Sequence, residues 1–381
     1  MGESTAWVLV AADFVKTGGM DRANYALAEY LARLGQDVHL VGHAAAPGLL
    51  KAQQLHWHHV PRPLGRDALG WGALDRAGRH WALQLRADGG RVVVNGGNCR
   101  WGGVNWVHYV HAAYRSPLRS ANPLAHAWHG WKHQRARRDE AAALAQARWV
   151  VANSERTRRD LIQLFDLPPA RVRTIYYGCD PERFRPVSAM ERAAARRALG
   201  WDPGRRTALF IGALGDRRKG FDTLWAAWQR LCADAAWDVD LAVAGRGAEL
   251  GAWRRRAAAN TRCALLGFRT DVPALLAASD VLVAPTRYEA YGLGVQEALA
   301  AGLPALVSAT AGVAERLPPA LDGWRLQDPE SDVELEQRLR AWRQQADAAP
   351  WQPALEALSQ QLRARTWDMM AAEIVALREA V

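Results

Sequence analysis

Short apolar runs alternate with amphipathic stretches along nearly the whole chain, and this alternation constrains the fold more than any other feature. Runs such as WVLVAA at 7–12 and RVVVNGG at 91–97 are rich in valine and typical of buried strands. Between them, apolar residues recur at helical spacing; in the segment 20–35, those predicted to share one face are Ala23, Leu27, Tyr30, Leu31 and Leu34. Apolar strands that alternate with helices indicate parallel sheets covered on both faces.

The runs fall into two groups, separated by a polar, proline-bearing segment, CDPERFRPVS at 179–188. A chain of 381 residues also exceeds one ordinary core. We therefore predict an α/β protein of two doubly wound domains, residues 1–182 and 183–365, that face a central cleft. Ligands of such sheets bind in loops after strands. The predicted strands lie at 7–12, 37–43, 91–97, 105–111, 148–154 and 172–178, and then at 207–213, 239–245, 263–268, 280–286 and 303–309.

Composition and charge narrow the function classes. Half of the residues are hydrophobic and 23% are charged, which is the balance of a globular protein. The four cysteines have neither metal-ligand nor disulfide-framework spacing, and the N-terminal residues lack a signal-peptide pattern, so we expect reduced thiols in a cytoplasmic protein. No segment is apolar over the roughly 18 residues of a membrane span. The formal charge of +10 suits phosphate-bearing ligands, an anionic membrane or nucleic acid, without choosing among them.

The most informative motif is PTRYEAYGLGVQEALAAGLP at 285–304. A predicted strand ends in a loop that carries Glu289, and the chain then passes Tyr291 and Gly292 into a helix that carries Glu297. The N-terminus of that helix offers backbone N–H groups and a positive dipole end, which suit a diphosphate. The two carboxylates can accept hydrogen bonds from the hydroxyls of a sugar and a ribose. The motif therefore predicts a nucleotide-sugar site, whereas two glutamates at this spacing alone would also suit an ordinary solvated helix.

Two glycine-containing loops support a phosphate-binding role. In FIGALGDRRKGFDTLWAAW at 210–228, a strand leads to the three basic residues Arg217, Arg218 and Lys219 before a helix. Guanidinium and ammonium groups at such a turn can clamp a diphosphate, although a solvated basic turn would show the same pattern. Near the N-terminus, Gly18-Gly19 lies between the first strand and the first helix and allows close backbone approach. It is not a GxGxxG fingerprint, so no dinucleotide cofactor is predicted.

Segment 285–304 resembles the signature of the family 4 retaining glycosyltransferases, which have the GT-B fold of two Rossmann-like domains. By this resemblance Glu289 holds the donor hexose, usually at its 3-hydroxyl, and Glu297 holds the ribose. The resemblance also implies that the backbone of Tyr291, Gly292 and Leu293 contacts the sugar and the phosphate. The final stretch, TWDMMAAEIVAL at 366–377, is similar to the family's C-terminal helix, which crosses back onto the first domain; residues 366–381 are therefore assigned to that domain.

Further matches extend the resemblance over nearly the whole chain. The basic turn is similar to the family's donor loop and assigns Lys219 to the phosphate. Many members carry an arginine where this chain has Ala213, so we give that role to Arg218, with Arg217 as a substitute. The Gly18-Gly19 loop is similar to the loop that lies over the donor diphosphate. The backbone predicted to lie beside the nucleotide base is that of Gly267, Phe268 and Arg269.

Two histidines end the fourth predicted strand, in NWVHYVHAAYRSP at 105–117. Family members place a histidine here against the donor sugar. His111 lies at the strand-to-loop transition, so we assign that catalytic role to His111 rather than to His108. A histidine on a buried strand is more often a satisfied core residue, and this alternative stays open for both.

The resemblance implies a hexosyltransferase that uses a nucleotide-diphosphate sugar, with UDP-sugars favoured and GDP-mannose next. The expected mechanism is front-face displacement without a metal or other cofactor, because no Asp-x-Asp site is placed to serve the diphosphate. Lys219, Arg218, Glu289 and His111 are the predicted catalytic residues. The alternatives are a nucleotide-sugar epimerase or a phosphorylase of the same fold, whose constellations are not evident, and a nucleic-acid-binding protein, which charge alone suggests; no nucleic acid is expected.

The acceptor is expected to be a saccharide or a lipid-linked sugar bound by the N-terminal domain. The stretch 114–145 is strongly basic and carries Trp128 and Trp131. Arginines with tryptophans on a helix suit the surface of an anionic membrane, so peripheral association with the inner face of the membrane is one interpretation. The other is a solvated basic helix in an arginine-rich protein.

Overall fold

The structure is a computed structural model that describes residues 6–85, 91–115, 117 and 123–378. Contacts within the chain divide it into two compact units. Unit 1 comprises Met1–Gly178 together with Thr366–Val381, and unit 2 comprises Cys179–Arg365. Each unit is a parallel α/β sheet with helices, as the alternation of apolar runs predicts.

The strands of unit 1 form a seven-stranded parallel sheet of order β5-β3-β1-β6-β7-β8-β9, beside a small pair β2-β4. The strands are β1 Trp7–Val10, β2 Asp13–Phe14, β3 Val38–Gly42, β4 Ala44–Ala45, β5 Leu55–His59, β6 Val92–Asn95, β7 Val104–Val107, β8 Trp149–Ala152 and β9 Val172–Thr174. The helices between them are α1 Gly19–Arg33, α2 Asp67–Gln84, α3 Pro123–Gln146 and α4 Glu155–Phe165. The apolar runs predict every large strand of this sheet except β5.

Burial of apolar side chains explains how these elements pack. Val8 and Val10 of β1 are fully buried, and Leu74 of α2 packs against them in one core cluster. The predicted face of the first helix is buried at Ala23, Leu27 and Leu31, but the prediction for Leu34 is wrong, since its side chain is 52% exposed. The reason is that α1 ends at Arg33, so Leu34 lies at the C-cap, where the helical period no longer applies.

Unit 2 contains a six-stranded parallel sheet of order β12-β11-β10-β13-β14-β15. Its strands are β10 Arg206–Ile211, β11 Val239–Ala244, β12 Cys263–Gly267, β13 Val281–Ala284, β14 Ala305–Ser308 and β15 Arg325–Leu326. Its helices are α5 Ala189–Leu199, α6 Phe221–Ala233, α7 Leu250–Ala257, α8 Val272–Ala278, α9 Leu293–Ala300, α10 Asp332–Gln345 and α11 Gln352–Ala364. Because β10 and β13 are neighbours, the loops that follow them emerge side by side at the carboxyl end of the sheet.

The last helix, α12 Trp367–Ala376, belongs to unit 1 and packs on α1, where Asp368 forms an ion pair with Arg33. A side chain at Gly178 would place a Cβ atom 2.3 Å from the backbone nitrogen of Trp367, so this glycine permits the close return of the chain. None of the helices in the described part of the chain is both long and apolar enough to span a bilayer.

Candidate functional site

Residues within and next to the basic turn of unit 2 fix its conformation. Arg217–Lys219 form one turn of 3₁₀ helix after β10, and the Asp216 carboxylate caps it by accepting the Arg218 backbone N–H at 3.0 Å. Gly220 ends the turn with φ +71°, and a Cβ there would lie 1.8 Å from the carbonyl oxygen of Pro285. Only glycine therefore lets this turn pack directly on the loop that follows β13.

That contact brings Arg218 and Lys219 to Glu289. Lys219 Nζ lies 2.6 Å and Arg218 Nη1 lies 3.2 Å from the same carboxylate oxygen, Oε2. Arg218 Nε also donates to Asp216 Oδ2 at 3.2 Å, which fixes the direction of the guanidinium. We call Arg218, Lys219 and Glu289 the triad; each of their side chains is about one-fifth exposed. The result is a partly buried cluster of two cations around one carboxylate, the charge-assisted kind of contact that is strong and well oriented.

Backbone hydrogen bonds immobilise the loop that carries Glu289. Its carbonyl accepts the N–H of Gly312 at 3.0 Å, and the carbonyl of Tyr291 accepts the N–H of Val313 at 2.7 Å. Tyr291 is itself buried, which raises the pKa of its phenol, and its hydroxyl bonds Gln296. The Glu289 carboxylate is thus presented by a fixed loop rather than by a flexible one.

The same loop leads directly into α9. Gly292 is the N-cap with φ +109°, and a Cβ there would lie 2.9 Å from Val313 Cγ1. Leu293 begins the helix and is partly exposed. Glu297 lies partly exposed between the buried Gln296 and Ala298. The motif therefore places one carboxylate before the helix N-terminus and one on the helix itself.

Arg287 joins the two loops, and no pattern in the sequence had singled it out. Its backbone N–H donates to the carbonyl of Arg218 at 2.8 Å, and Nη1 donates to the carbonyl of Arg217 at 2.5 Å and to Asp222 at 2.7 Å. Its side chain is only 6% exposed. Arg217 Nη2 pairs with Asp222 at 2.5 Å, so it does not reach Glu289 with its neighbour Arg218. The only signal available in the sequence was that Arg287 lies inside the motif at 285–304.

The residues predicted to lie beside a nucleotide base follow β12, two strands from β10 in the sheet. Gly267 ends the strand with φ +73°. Phe268 is 54% exposed, and the Arg246 guanidinium lies 4.6 Å from its ring centre. Arg269 pairs with Asp271, its Nε at 2.8 Å from Oδ1. An exposed aromatic ring beside a cation is available for a planar ligand.

In unit 1, Gly18 is the N-cap of α1 with φ +85°, and Gly19 is the first residue of the helix. A carboxylate lies next to this turn: Asp21 in the first turn of α1, whose Oδ2 would be 3.3 Å from a Cβ on Gly18. Burial, together with the nearby Asp13 charge, raises the pKa of Asp21 to about 7.

The two histidines after β7 have different surroundings. His108 is buried, its Nδ1 lies 2.5 Å from the Tyr177 hydroxyl, and its Nε2 lies 3.2 Å from Asn95 Nδ2. Burial lowers the pKa of His108 to about 3. It is therefore a satisfied, neutral core residue. His111, three residues later, is in a loop, and burial lowers its pKa to about 4, so it too is neutral at physiological pH.

Glu140 of α3 holds the His111 loop, and it was not among the residues predicted from the sequence. Its side chain is fully buried, and its two oxygens accept the backbone N–H groups of His111 at 3.1 Å and Ala112 at 3.3 Å. Burial raises the pKa of this carboxyl to about 8 against the opposing effect of those two N–H groups. No local pattern marks Glu140, because its partners lie about 29 residues away in the sequence.

The basic stretch 114–145 forms most of α3, although residues 116 and 118–122 lie outside the described part of the chain. Trp128 and Trp131 stack at 4.9 Å and are 38% and 43% exposed. Arg66 lies 6.0 Å from the Trp128 ring centre, and Arg135 lies 5.5 Å from that of Trp131. This patch combines exposed indoles with cations.

Comparison with known proteins gives a consistent result. Residues 17–183 match the family described as Glycosyltransferase Family 4, and residues 205–343 match Glycosyl transferases group 1. D-inositol 3-phosphate glycosyltransferase 1 of Catenulispora acidiphila is 35% identical over 187 residues, covering 46% of this chain and 44% of that protein. The chain thus matches less than half the length of such curated relatives.

Two solved structures show the same fold over the whole chain. WaaG, a glycosyltransferase involved in lipopolysaccharide biosynthesis, aligns with a TM-score of 0.72 and 20% identity over 98% of each chain. HepE of Anabaena, in complex with UDP and glucose, aligns with a TM-score of 0.70 and 18% identity over 100% of each chain. The two parallel-sheet α/β units therefore have the GT-B fold, as the resemblance implied.

Proposed function

This chain belongs to the family 4 glycosyltransferases, and on that premise we propose that it transfers a hexose, with retention, from a nucleotide-diphosphate sugar to a saccharide or lipid-linked acceptor. The observation that carries the proposal is the Glu289 carboxylate, bonded by both Lys219 and Arg218 beside the start of α9. The solved complex of HepE with UDP and glucose supports a UDP-sugar as the first donor to test, with GDP-mannose next.

The chemistry of the triad fits a donor that carries both hydroxyls and a diphosphate. We assign Glu289 to a hydroxyl of the hexose and Glu297 to the ribose. Lys219 and Arg218 bind the diphosphate, with the N-terminus of α9 as a further source of positive potential. The loop at Gly267, Phe268 and Arg269 contacts the base. In unit 1, the backbone at Gly18-Gly19 lacks side chains and can approach a phosphate closely. Arg217 and Arg287 both form ion pairs with Asp222, and these ion pairs fix the position of the basic turn.

The reaction requires charge stabilisation rather than a covalent nucleophile. The bond between the anomeric carbon and the diphosphate oxygen breaks, and the acceptor oxygen bonds the same face of that carbon. The acceptor proton passes to the departing phosphate oxygen. Lys219 and Arg218 stabilise the negative charge that grows on the diphosphate, so the proposal needs no metal. His111 of unit 1 is kept neutral by burial, which lowers its pKa, so its ring can hydrogen-bond a sugar hydroxyl without adding charge.

For the acceptor we propose a lipid-linked saccharide, reached by peripheral binding at the cytoplasmic face of an anionic membrane. The support is the patch of Trp128 and Trp131 with Arg66 and Arg135 on unit 1. Indoles and cations together favour the interface of an anionic bilayer. WaaG, which has the same fold, is involved in lipopolysaccharide biosynthesis, and this supports an acceptor of that kind.

The first experiment is thermal stabilisation by UDP-, GDP-, ADP- and dTDP-sugars in the presence of EDTA. A ligand at about 100 times its Kd stabilises the folded protein by about 2.7 kcal/mol, which is a readily measured rise in Tm. We expect the sugars of one nucleotide class to raise the Tm of the wild type. The same sugars should leave the Tm of Lys219→Ala and of Glu297→Ala unchanged. Lys51→Ala, which removes an exposed lysine in unit 1, is the matched control and should respond like the wild type.

A second measurement separates the transferase from other enzymes of this fold. Release of the nucleotide should require a sugar acceptor, and the product anomer, read by NMR, should match the donor. Acceptor-independent turnover would instead point to an epimerase. Stabilisation that appears only when a divalent metal replaces EDTA would refute the metal-free diphosphate site.

A further inference from the structure

Three histidines lie on one face of the sheet edge in unit 1, far in sequence from the residues of the donor site. Strand β5 is the edge strand and pairs in parallel with β3, with His39 directly opposite His56. His58 follows two residues after His56 and so points to the same face. Asp37 immediately precedes β3. The face of β3 and β5 that packs against α2 would normally carry apolar side chains. The row of imidazoles on it is therefore unusual.

The side chains converge on one point. Asp37 Oδ1 lies 2.7 Å from His56 Nε2, and Asp37 Oδ2 lies 3.7 Å from His39 Nε2. One ligand atom from each of the three residues lies within 4.8 Å of the other two. His39 Nδ1 is engaged with His58 Nε2 at 2.8 Å, so the ring is oriented with Nε2 towards Asp37. His58 in turn stacks on Trp81 of α2, with ring centres 3.6 Å apart.

The geometry points to a metal site: we propose that Asp37, His39 and His56 bind one divalent transition-metal ion, with Zn²⁺ as the ion that fits best. Two imidazole nitrogens and a carboxylate are a common zinc donor set, with bonds of about 2.0–2.2 Å. Bonds of that length hold ligand atoms no more than about 4.2 Å apart. Asp37 and His56 are about half exposed, so they can close the remaining distance by side-chain rotation.

The surroundings of His39 favour the ion, because its Nδ1 is already engaged by His58 and its Nε2 faces Asp37. The contact with His58 is the outer hydrogen bond that metal-bound histidines usually make. A bound ion would neutralise Asp37 and cross-link β3 to β5, which stabilises an edge strand that has a neighbour on one side only.

The test is isothermal titration of metal-free protein with Zn²⁺, repeated with Co²⁺, whose visible spectrum reports its ligands. We expect one saturable site per chain and a rise in Tm when it fills. His56→Ala should weaken binding by at least about tenfold, and His58→Gln should weaken it by about 10- to 100-fold, as loss of an outer partner does. His59→Ala, which removes an exposed histidine on the same strand, is the matched control and should bind like the wild type.

His56 is itself exposed, so its replacement should leave the apo protein folded, which circular dichroism and the metal-free Tm verify. The proposal is overturned if no saturable binding occurs, or if His56→Ala binds Zn²⁺ as tightly as His59→Ala does. Neither outcome bears on the donor site, because that site is assayed in EDTA.

Discussion

The buried carboxyl of Glu140 makes a quantitative prediction about stability against pH. Burial raises its pKa from 4.5 to about 8, while the N–H groups of His111 and Ala112 oppose the rise. Between those two values the folded chain keeps a proton that the unfolded chain has released. The unfolding free energy therefore falls as pH rises, by about 1.4 kcal/mol per pH unit and about 4–5 kcal/mol in all.

Glu140→Gln removes the titration while it keeps the size of the side chain. The unfolding free energy of the wild type should therefore fall relative to that of the variant, by about 3–4 kcal/mol as pH rises from about 5 to about 8. For a unit of this size, about 1 kcal/mol corresponds to about 2–4 °C, so the relative Tm should change by about 10 °C or more. Asp21 titrates in the same direction but is present in both proteins, so its contribution cancels.

Differential scanning calorimetry across this pH range is the assay, since it can resolve the transition of unit 1 from that of unit 2. Parallel curves of Tm against pH for the two proteins would refute the reasoning. They would mean that the two backbone N–H groups outweigh burial, and that Glu140 is an ordinary carboxylate in the folded protein.

Three further predictions concern other residues. Gly220→Ala should lower the unfolding free energy by at least about 2 kcal/mol and abolish donor-induced stabilisation, because a Cβ would meet the Pro285 carbonyl; unchanged urea unfolding would contradict this. Arg287→Ala should lower the unfolding free energy measured in urea by about 3 kcal/mol, since it removes a buried guanidinium that bonds Asp222 and the Arg217 carbonyl; a loss under about 0.5 kcal/mol would show that water and Arg217 replace it. Replacing Trp128 and Trp131 by serine should reduce binding to anionic vesicles at least about tenfold with the Tm unchanged, and equal binding would rule out this patch as the membrane contact.

The sequence predicted the strands whose cores are apolar, and it failed where side-chain chemistry departs from that pattern. Strand β5, LHWHH, was missed because its histidines do not have the apolar character expected of a buried run. The strand predicted at 105–111 ends in the structure at Val107, so both His108 and His111 lie beyond it. The periodic pattern of apolar residues predicts which side chains are buried. It does not predict polar side chains that are buried because they bond specific partners.

The candidate site also divides into features that local sequence patterns predict and features that tertiary packing decides. The motif at 285–304 and the basic turn were visible locally, and the structure brings Glu289 to Lys219 and Arg218. Which of two adjacent arginines reaches the carboxylate depends on the 3₁₀ turn and on Asp222, which captures Arg217. Such long-range choices depend on tertiary packing, which a local pattern does not contain.

The pairing of Glu289 with both cations has a consequence for selectivity. A free anion such as inorganic phosphate competes with the Glu289 carboxylate for Lys219 and Arg218, and drawing the cations away weakens two bonds to a partly buried carboxylate. A nucleotide sugar carries a diphosphate for the cations and a hydroxyl that can donate to Glu289, so both halves of the separated pair are satisfied by one molecule. The site would therefore favour ligands that present both groups at the right separation over abundant single anions.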